Sequence, residues 1–181
     1  MIASSDAFSF SISMRYDKIV IMKKQLPMHT VSAAAFIMND NKLLLVHNPL
    51  KGWETPGGII NEGESVIEAL KREIKEEVNL DVDVLKLSSV MSVVNTQKGY
   101  NGVEEIKPLI VFDFVCSTNQ KEIVLSEEHD DYLWVSIEEA KNIIKKTMMA
   151  RFESLLNSEI DFLKVSKFST VEVLKHDQVG G

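Results

Sequence analysis

The segment GGIINEGESVIEALKREIKEEVNL, residues 57–80, constrains this chain more than any other stretch. Its spacing predicts a helix over about residues 64–78. Ile67, Leu70, Ile74 and Val78 then share one face at 3.6 residues per turn, and that face requires a core to cover it. A neighbouring row, Val66, Leu70, Glu73 and Glu77, begins apolar and turns acidic halfway along, with Glu76 beside it. Like charges at such spacing weaken an isolated helix. Carboxylates held this closely are costly unless protonated or neutralised. Two readings stand at this point: a solvated acidic face, or hard oxygen ligands for a divalent cation such as Mg²⁺ or Mn²⁺.

The surrounding pattern is mixed. VSAAAFIM and KLLLVHN are β-leaning runs joined by the turn-forming NDN, which predicts a hairpin. KGWETPGG interrupts the regular pattern with Gly and Pro. VDVLKLSSVMSVVNT reads as a strand, QKGYNG as a loop, and EIKPLIVFDFVCST as a long buried strand with Pro108 near its start. NQKEIVLSEEHDDYLWVS predicts a further short strand and an acidic loop before Trp134. Ser136 with Glu139 forms a capping box that opens the helix EEAKNIIKK. RFESLLNSEIDFL is a last amphipathic stretch, followed by the tail FSTVEVLK. The order predicts an α/β or α+β domain with helices flanking a mixed sheet. We divide the chain into an extension at 1–27, in which YDKIVIMKK is an edge-strand candidate, a domain at 28–147, and a C-terminal helix and tail at 148–181.

Composition narrows the functional classes. With 181 residues the chain can bury a substantial core. A net charge of −7 argues against a broad nucleic-acid footprint, so no stable nucleic-acid complex is expected. No apolar run approaches the roughly 20 residues that span a bilayer, so no membrane association is expected. Cys116 is the single cysteine, read as a small buried hydrophobe. That usage, and an N-terminus MIASSDAFSFSIS that makes a poor signal peptide, predict a cytoplasmic protein.

The order Gly58, Glu64, then Arg72-Glu73-Ile74-Lys75-Glu76-Glu77-Val78-Asn79-Leu80 resembles the Nudix box of the MutT-type hydrolases. Every defined position matches except Asn79, which stands where the family usually has glycine at the helix end. Asparagine tolerates the left-handed conformation better than other non-glycine residues. WETPGG resembles the usual lead-in, and the likeness covers about residues 30–147. It implies an α/β/α sandwich with a mixed β-sheet, and Mg²⁺-dependent hydrolysis of a nucleoside diphosphate linked to another group. Nucleoside triphosphates, nucleotide sugars, ADP-ribose and dinucleoside polyphosphates all fit that description.

The resemblance also implies roles. Glu73, Glu76 and Glu77 would hold one or more Mg²⁺ ions with the carbonyl of Gly58, Mn²⁺ being the alternative metal. Arg72 would fix a glutamate rotamer by an ion pair, and Glu64 would be an auxiliary carboxylate. The acidic loop LSEEHDDYLW offers Glu127 or Glu128 as a further ligand or general base. His129 is a candidate phosphate contact, and each of the three is otherwise a solvated loop residue. Trp134 is assigned to the core. Trp53 and Tyr100 are weak candidates for stacking on a base, and Lys51 and Arg151 for phosphate contact, with solvent exposure the commoner fate of such basic residues. His29, His47 and His176 have no metal-type spacing and are given no role. The tail, with Met148, Phe152, Leu155 and Leu156, is a possible homodimer surface. The rival function is a Nudix-fold nucleotide sensor without catalysis, disfavoured because all the box glutamates are present.

Overall fold

The computed structural model describes residues 26–99, 102–165 and 171–174. Tyr100, His176 and the edge-strand candidate YDKIVIMKK lie outside the described residues. Strands β1 (Thr30–Asn39) and β2 (Lys42–Asn48) form the expected antiparallel hairpin, pairing Met38 with Leu43 and Asn39 with Lys42. Its turn places Asp40 and Asn41 at φ of 48° and 61°. Two consecutive left-handed residues give a turn whose twist matches the strands, and Asp and Asn tolerate that conformation.

WETPGG is more regular than its Gly and Pro content suggests. It contributes two short strands, β3 (Gly52–Glu54) on β2 and β4 (Gly57–Ile59) on β1. Between them the Ala35 N–H donates to the Pro56 carbonyl. Helix α1 (Val66–Val78) follows, started by a reciprocal capping box between Ser65 and Glu68 that leaves Glu64 outside the helix. Its end is Asn79, at φ 56° and ψ 30°, the left-handed conformation expected of a residue that closes the helix.

Strand β5 (Asp83–Val93) is followed by a small ribbon, β6 (Gln97–Lys98) with β7 (Glu105–Ile106), where the sequence suggested only a loop. Strand β8 (Leu109–Ser117) runs parallel to β1 and antiparallel to β5. Strand β9 (Asp131–Val135) carries Trp134 and pairs with β2, and helix α2 (Ile137–Ile143) opens on the predicted Ser136–Glu139 capping box. A 3₁₀ turn (Lys146–Met148) leads into helix α3 (Met149–Ser154). Strands β10 (Asp161–Val165) and β11 (Val171–Leu174) complete a nine-stranded mixed sheet among the described residues.

Two expectations change here. KEIVL forms no strand: the Val124 and Ser126 N–H groups donate to the carbonyls of Val78 and Glu77. The segment therefore satisfies the unpaired carbonyls at the end of α1 and has no strand partner. The amphipathic stretch from Arg151 is helical only to Ser154, because residues 161–165 pair in parallel with β5.

The sheet is covered on both faces, giving the α/β/α sandwich. Ala33, Ala35 and Ile37 of β1 face Leu70, Ile74 and Val78 of α1, together with Leu44, Val46, Phe114 and Cys116. The alternate residue Phe36 faces the other way, with Leu43 and Leu45, onto Ala140, Ile144 and Phe152. This period-two division assigns each strand residue to one layer. In α1, Ala69 joins the buried set, whereas Ile67 in the first turn remains 38% exposed. Burial pushes the Cys116 thiol up to about 12, in keeping with a core role. No helix of the described residues is long and apolar enough to cross a membrane.

Phe36 and Phe152 meet edge to face, centroids 5.3 Å apart, joining the sheet to α3. Phe152→Ala should lower unfolding free energy by about 3–5 kcal/mol in urea titration. A loss below about 1 kcal/mol would contradict this packing, since deleting a buried aromatic side chain costs far more.

Candidate active site

The acidic half of α1 lies beside the start of β4. The Gly57 N–H donates to Glu77 Oε2 at 2.9 Å, closing the helix onto the loop. Gly57 adopts φ +147°, and a β-carbon there would stand 2.3 Å from the Ala33 carbonyl oxygen. A β-carbon on Gly58 would stand 2.3 Å from the Glu73 carboxylate carbon. The glycine pair thus lets backbone, helix and carboxylates share space that any side chain would fill.

Arg72 organises the charges. Its Nε donates to Glu64 Oε1 at 2.5 Å and its Nη2 to Glu64 Oε2 at 2.9 Å, a bidentate pair. Nη1 donates to Glu73 at 2.8 Å and Glu76 at 3.1 Å, and Nη2 also reaches the Ile59 carbonyl. These bonds hold the Glu64 carboxyl down to about 2, the Arg72 hydrogen bonds leading, followed by the Asn61 N–H. Glu73 is mostly covered at 17% side-chain exposure, whereas Glu76 is open to solvent at 60%. Among the described residues, no three acidic, histidine or cysteine groups converge as a ready metal cage. Instead, the Arg72 guanidinium bridges Glu73 and Glu76.

Burial pushes the Glu77 carboxyl up to about 7. The Gly57 N–H and His129 oppose that rise, and Glu73 and Glu54 add to it. His129 is buried, with Nε2 3.8 Å from Glu54 Oε1, and its Nδ1 has no hydrogen-bond partner among the described residues. Burial lowers its pKa, but Glu54, Glu77 and Glu128 outweigh that effect and the net shift is upward. His129 is therefore no solvated loop residue. It sits under the site, among the carboxylates.

Glu127 and Glu128 share that loop but are exposed. The loop reaches α1 through the Ser126 N–H, which donates to the Glu77 carbonyl. Trp53 is half-buried, 5.0 Å from the His47 ring, and packs partly against the core around α2 and α3. His47 ties β2 to the loop through Asp130, 2.6 Å away.

Two adjoining hollows of about 200 and 330 Å³ open from Gly57 and Gly58 past Glu54 to Arg151. Trp53 and Lys51 line the larger one. Arg151 departs from the exposure expected of it: its side chain is 12% exposed and ion-paired with the buried Asp113. Sequence reasoning passed over Glu54 and Asp113. The signal for Asp113 was available, as the one charge inside the apolar run LIVFDFVC.

A sandwich with this loop-and-helix arrangement, Gly57–Gly58 against Glu73 and Glu77, defines a Nudix-type domain. The chain belongs to the Nudix family: the family profile described as NUDIX domain matches residues 28–154. It is 41% identical over 88 residues to an ADP-ribose pyrophosphatase of Methanocaldococcus jannaschii, covering 43% of this chain and 52% of that protein. It is 34% identical over 92 residues to the nucleoside triphosphatase NudI of Klebsiella pneumoniae, covering 50% of this chain and 65% of that one. The chain thus spans about half to two-thirds of the length of these relatives. A MutT protein from Bacillus halodurans has the same fold, with a TM-score of 0.60 at 21% identity, covering 81% of this chain and 95% of that one.

The depressed Glu64 pKa fixes the sign of one pH effect. The pairing stabilises the fold above the ordinary value of 4.5 and is lost as pH falls through about 2. Glu64→Gln should therefore lower Tm at pH 7, with the gap to wild type closing between pH 4.5 and 2. A gap that persists unchanged at the acid end would assign the loss to something other than this ion pair.

Proposed function

We propose that this protein hydrolyses the diphosphate linkage of a small nucleoside diphosphate derivative with the help of Mg²⁺. The observation that carries the reading is the box helix held against the glycine loop, with Glu77 brought beside Gly57 and Glu73 beside Gly58. The names of the two relatives, an ADP-ribose pyrophosphatase and a nucleoside triphosphatase, support the substrate class.

The residues present fit a hard cation. Glu73, Glu76, Glu77 and the Gly58 carbonyl are all oxygen donors, the kind Mg²⁺ prefers. A carboxylate as reluctant to ionise as Glu77 gains most from a nearby positive charge. When bound, the ion screens the negative diphosphate and makes an attacking water more acidic.

The chain's own groups supply the rest. Arg72 orients Glu73 and Glu76 and offsets part of their mutual repulsion. Gly57 fixes Glu77 through its N–H, so the carboxylate is positioned before substrate arrives. Glu54 faces the hollow next to Gly58 and has His129 behind it, which makes Glu54 a candidate to accept the proton of the attacking water. Glu127 and Glu128 are the alternatives on the exposed loop, available where substrate binding brings them inward.

Phosphate release should be followed across triphosphates, ADP-ribose, nucleotide sugars and dinucleoside polyphosphates, with and without Mg²⁺ and with a coupling phosphatase. The expected result is Mg²⁺-dependent cleavage that falls by about 100-fold or more in Glu77→Gln and in Glu76→Gln, with both variants still folded. Unchanged turnover in both variants would overturn the assignment of these carboxylates.

A further inference from the structure

The site described so far leaves one buried ion pair unexplained. Asp113 is fully buried on β8, opposite Ser89 of β5 in the sheet register. Ser89 Oγ donates to Asp113 Oδ2 at 2.6 Å. Arg151 of α3 donates from Nε to both carboxylate oxygens, at 2.9 and 3.1 Å, and from Nη2 to Oδ1. The side-on edge of the guanidinium is thereby locked to the sheet. Its Nη1 makes no hydrogen bond among the described residues and is not sealed from solvent.

A tie between α3 and the sheet is the plainest role for such a pair. Buried ion pairs are weak contributors to stability, since well-packed apolar residues often do as well or better. A purely structural tie also gives no reason for an arginine with an unused nitrogen to line a cavity. Arg151 lines both hollows, with Met91, Leu109 and Met148 around it. Lys51 and Lys145 line the larger hollow, but in the smaller one Asp113 already balances Arg151, and the other charged lining residue among those described is the carboxylate Glu54, beside the apolar Ile106 and Val111. Such a place suits a flat, neutral group with acceptors on one edge better than a polyphosphate.

Accepting the hydrolase reading above, we propose that the end-on edge of Arg151 recognises the base of the substrate and selects a 6-oxopurine. Guanine and hypoxanthine present adjacent acceptors, O6 and N7, which match the two donors of a guanidinium edge. Adenine places an amino donor beside N7, so donor faces donor and one bond is lost. Asp113 and Ser89 act as positioning residues, holding the guanidinium in a single orientation.

The test compares kcat/KM for GTP, ITP, ATP and 7-deaza-GTP. The 7-deaza analogue needs no mutation and removes only the N7 acceptor. GTP and ITP should exceed ATP by about tenfold or more, with 7-deaza-GTP falling toward ATP. Arg151→Ala would strand Asp113 in the core, so the second arm is the neutral pair Asp113→Asn with Arg151→Gln. In that double variant the preference should shrink to about threefold or less, well below the discrimination of a bidentate contact. Equal losses on every nucleotide would assign Arg151 to the phosphates and overturn the proposal, as would a wild type indifferent to the base. If no nucleotide is cleaved, the hydrolase reading fails separately. Calorimetric binding of GDP against ADP then decides: tighter GDP binding, lost in the double variant, supports base selection, and equal affinities refute it.

Discussion

Arg72 holds together a set of charges that would otherwise drive the end of α1 apart. One guanidinium answers Glu64 with two bonds and reaches Glu73 and Glu76 with a third nitrogen. Its contact with the Ile59 carbonyl extends the same network to the strand that carries the glycine pair. Arginine suits this position because its planar fork offers several donors in fixed directions, which a lysine ammonium cannot reproduce. The cost is a helix whose acidic row depends on one side chain. The gain is a group of carboxylates already oriented toward a common loop.

The sheet determines where that loop lies. Strand β1 pairs along most of its length with β8, and its other edge is shared between β2 and the short β4. Gly57 and Gly58 are thus fixed opposite Ala34 and Ala33, small residues that let the strands approach. Helix α1 covers one face of this sheet, and α2 and α3 cover the other. The hollows extend from the glycine pair to Arg151, so the cleft links the acidic helix with the sheet face that carries α3. One fold therefore brings the acidic half of α1 and the hollows at Arg151 into the same cleft.

Features governed by local chemistry were readable in the residues. The hairpin turn at Asp40–Asn41, the cap at Ser136 and the left-handed Asn79 each follow from neighbours within a few positions. The box spacing identified the acidic row, and Glu77 does point toward covered structure. Features governed by distant partners were not readable. KEIVL has strand-like composition, yet its N–H groups go to the end of α1. DFLKV becomes a strand because β5 offers it an edge. Arg151 is buried only because Asp113, 38 positions away in sequence, stands opposite. His129 is taken from the exposed loop into the site by Glu54 and Glu77, a placement no local pattern encodes.

Binding of the proposed cation between the box helix and the glycine loop is open to direct test with Mn²⁺ as a paramagnetic substitute for Mg²⁺. Substoichiometric Mn²⁺ added to isotopically labelled protein broadens the amide signals nearest the ion. Early loss of the Gly57, Gly58 and Glu73–Glu77 signals, reversed by excess Mg²⁺, is the expected result. Sharp signals there, with broadening confined to another acidic stretch such as Glu138–Glu139 at the start of α2, would contradict it.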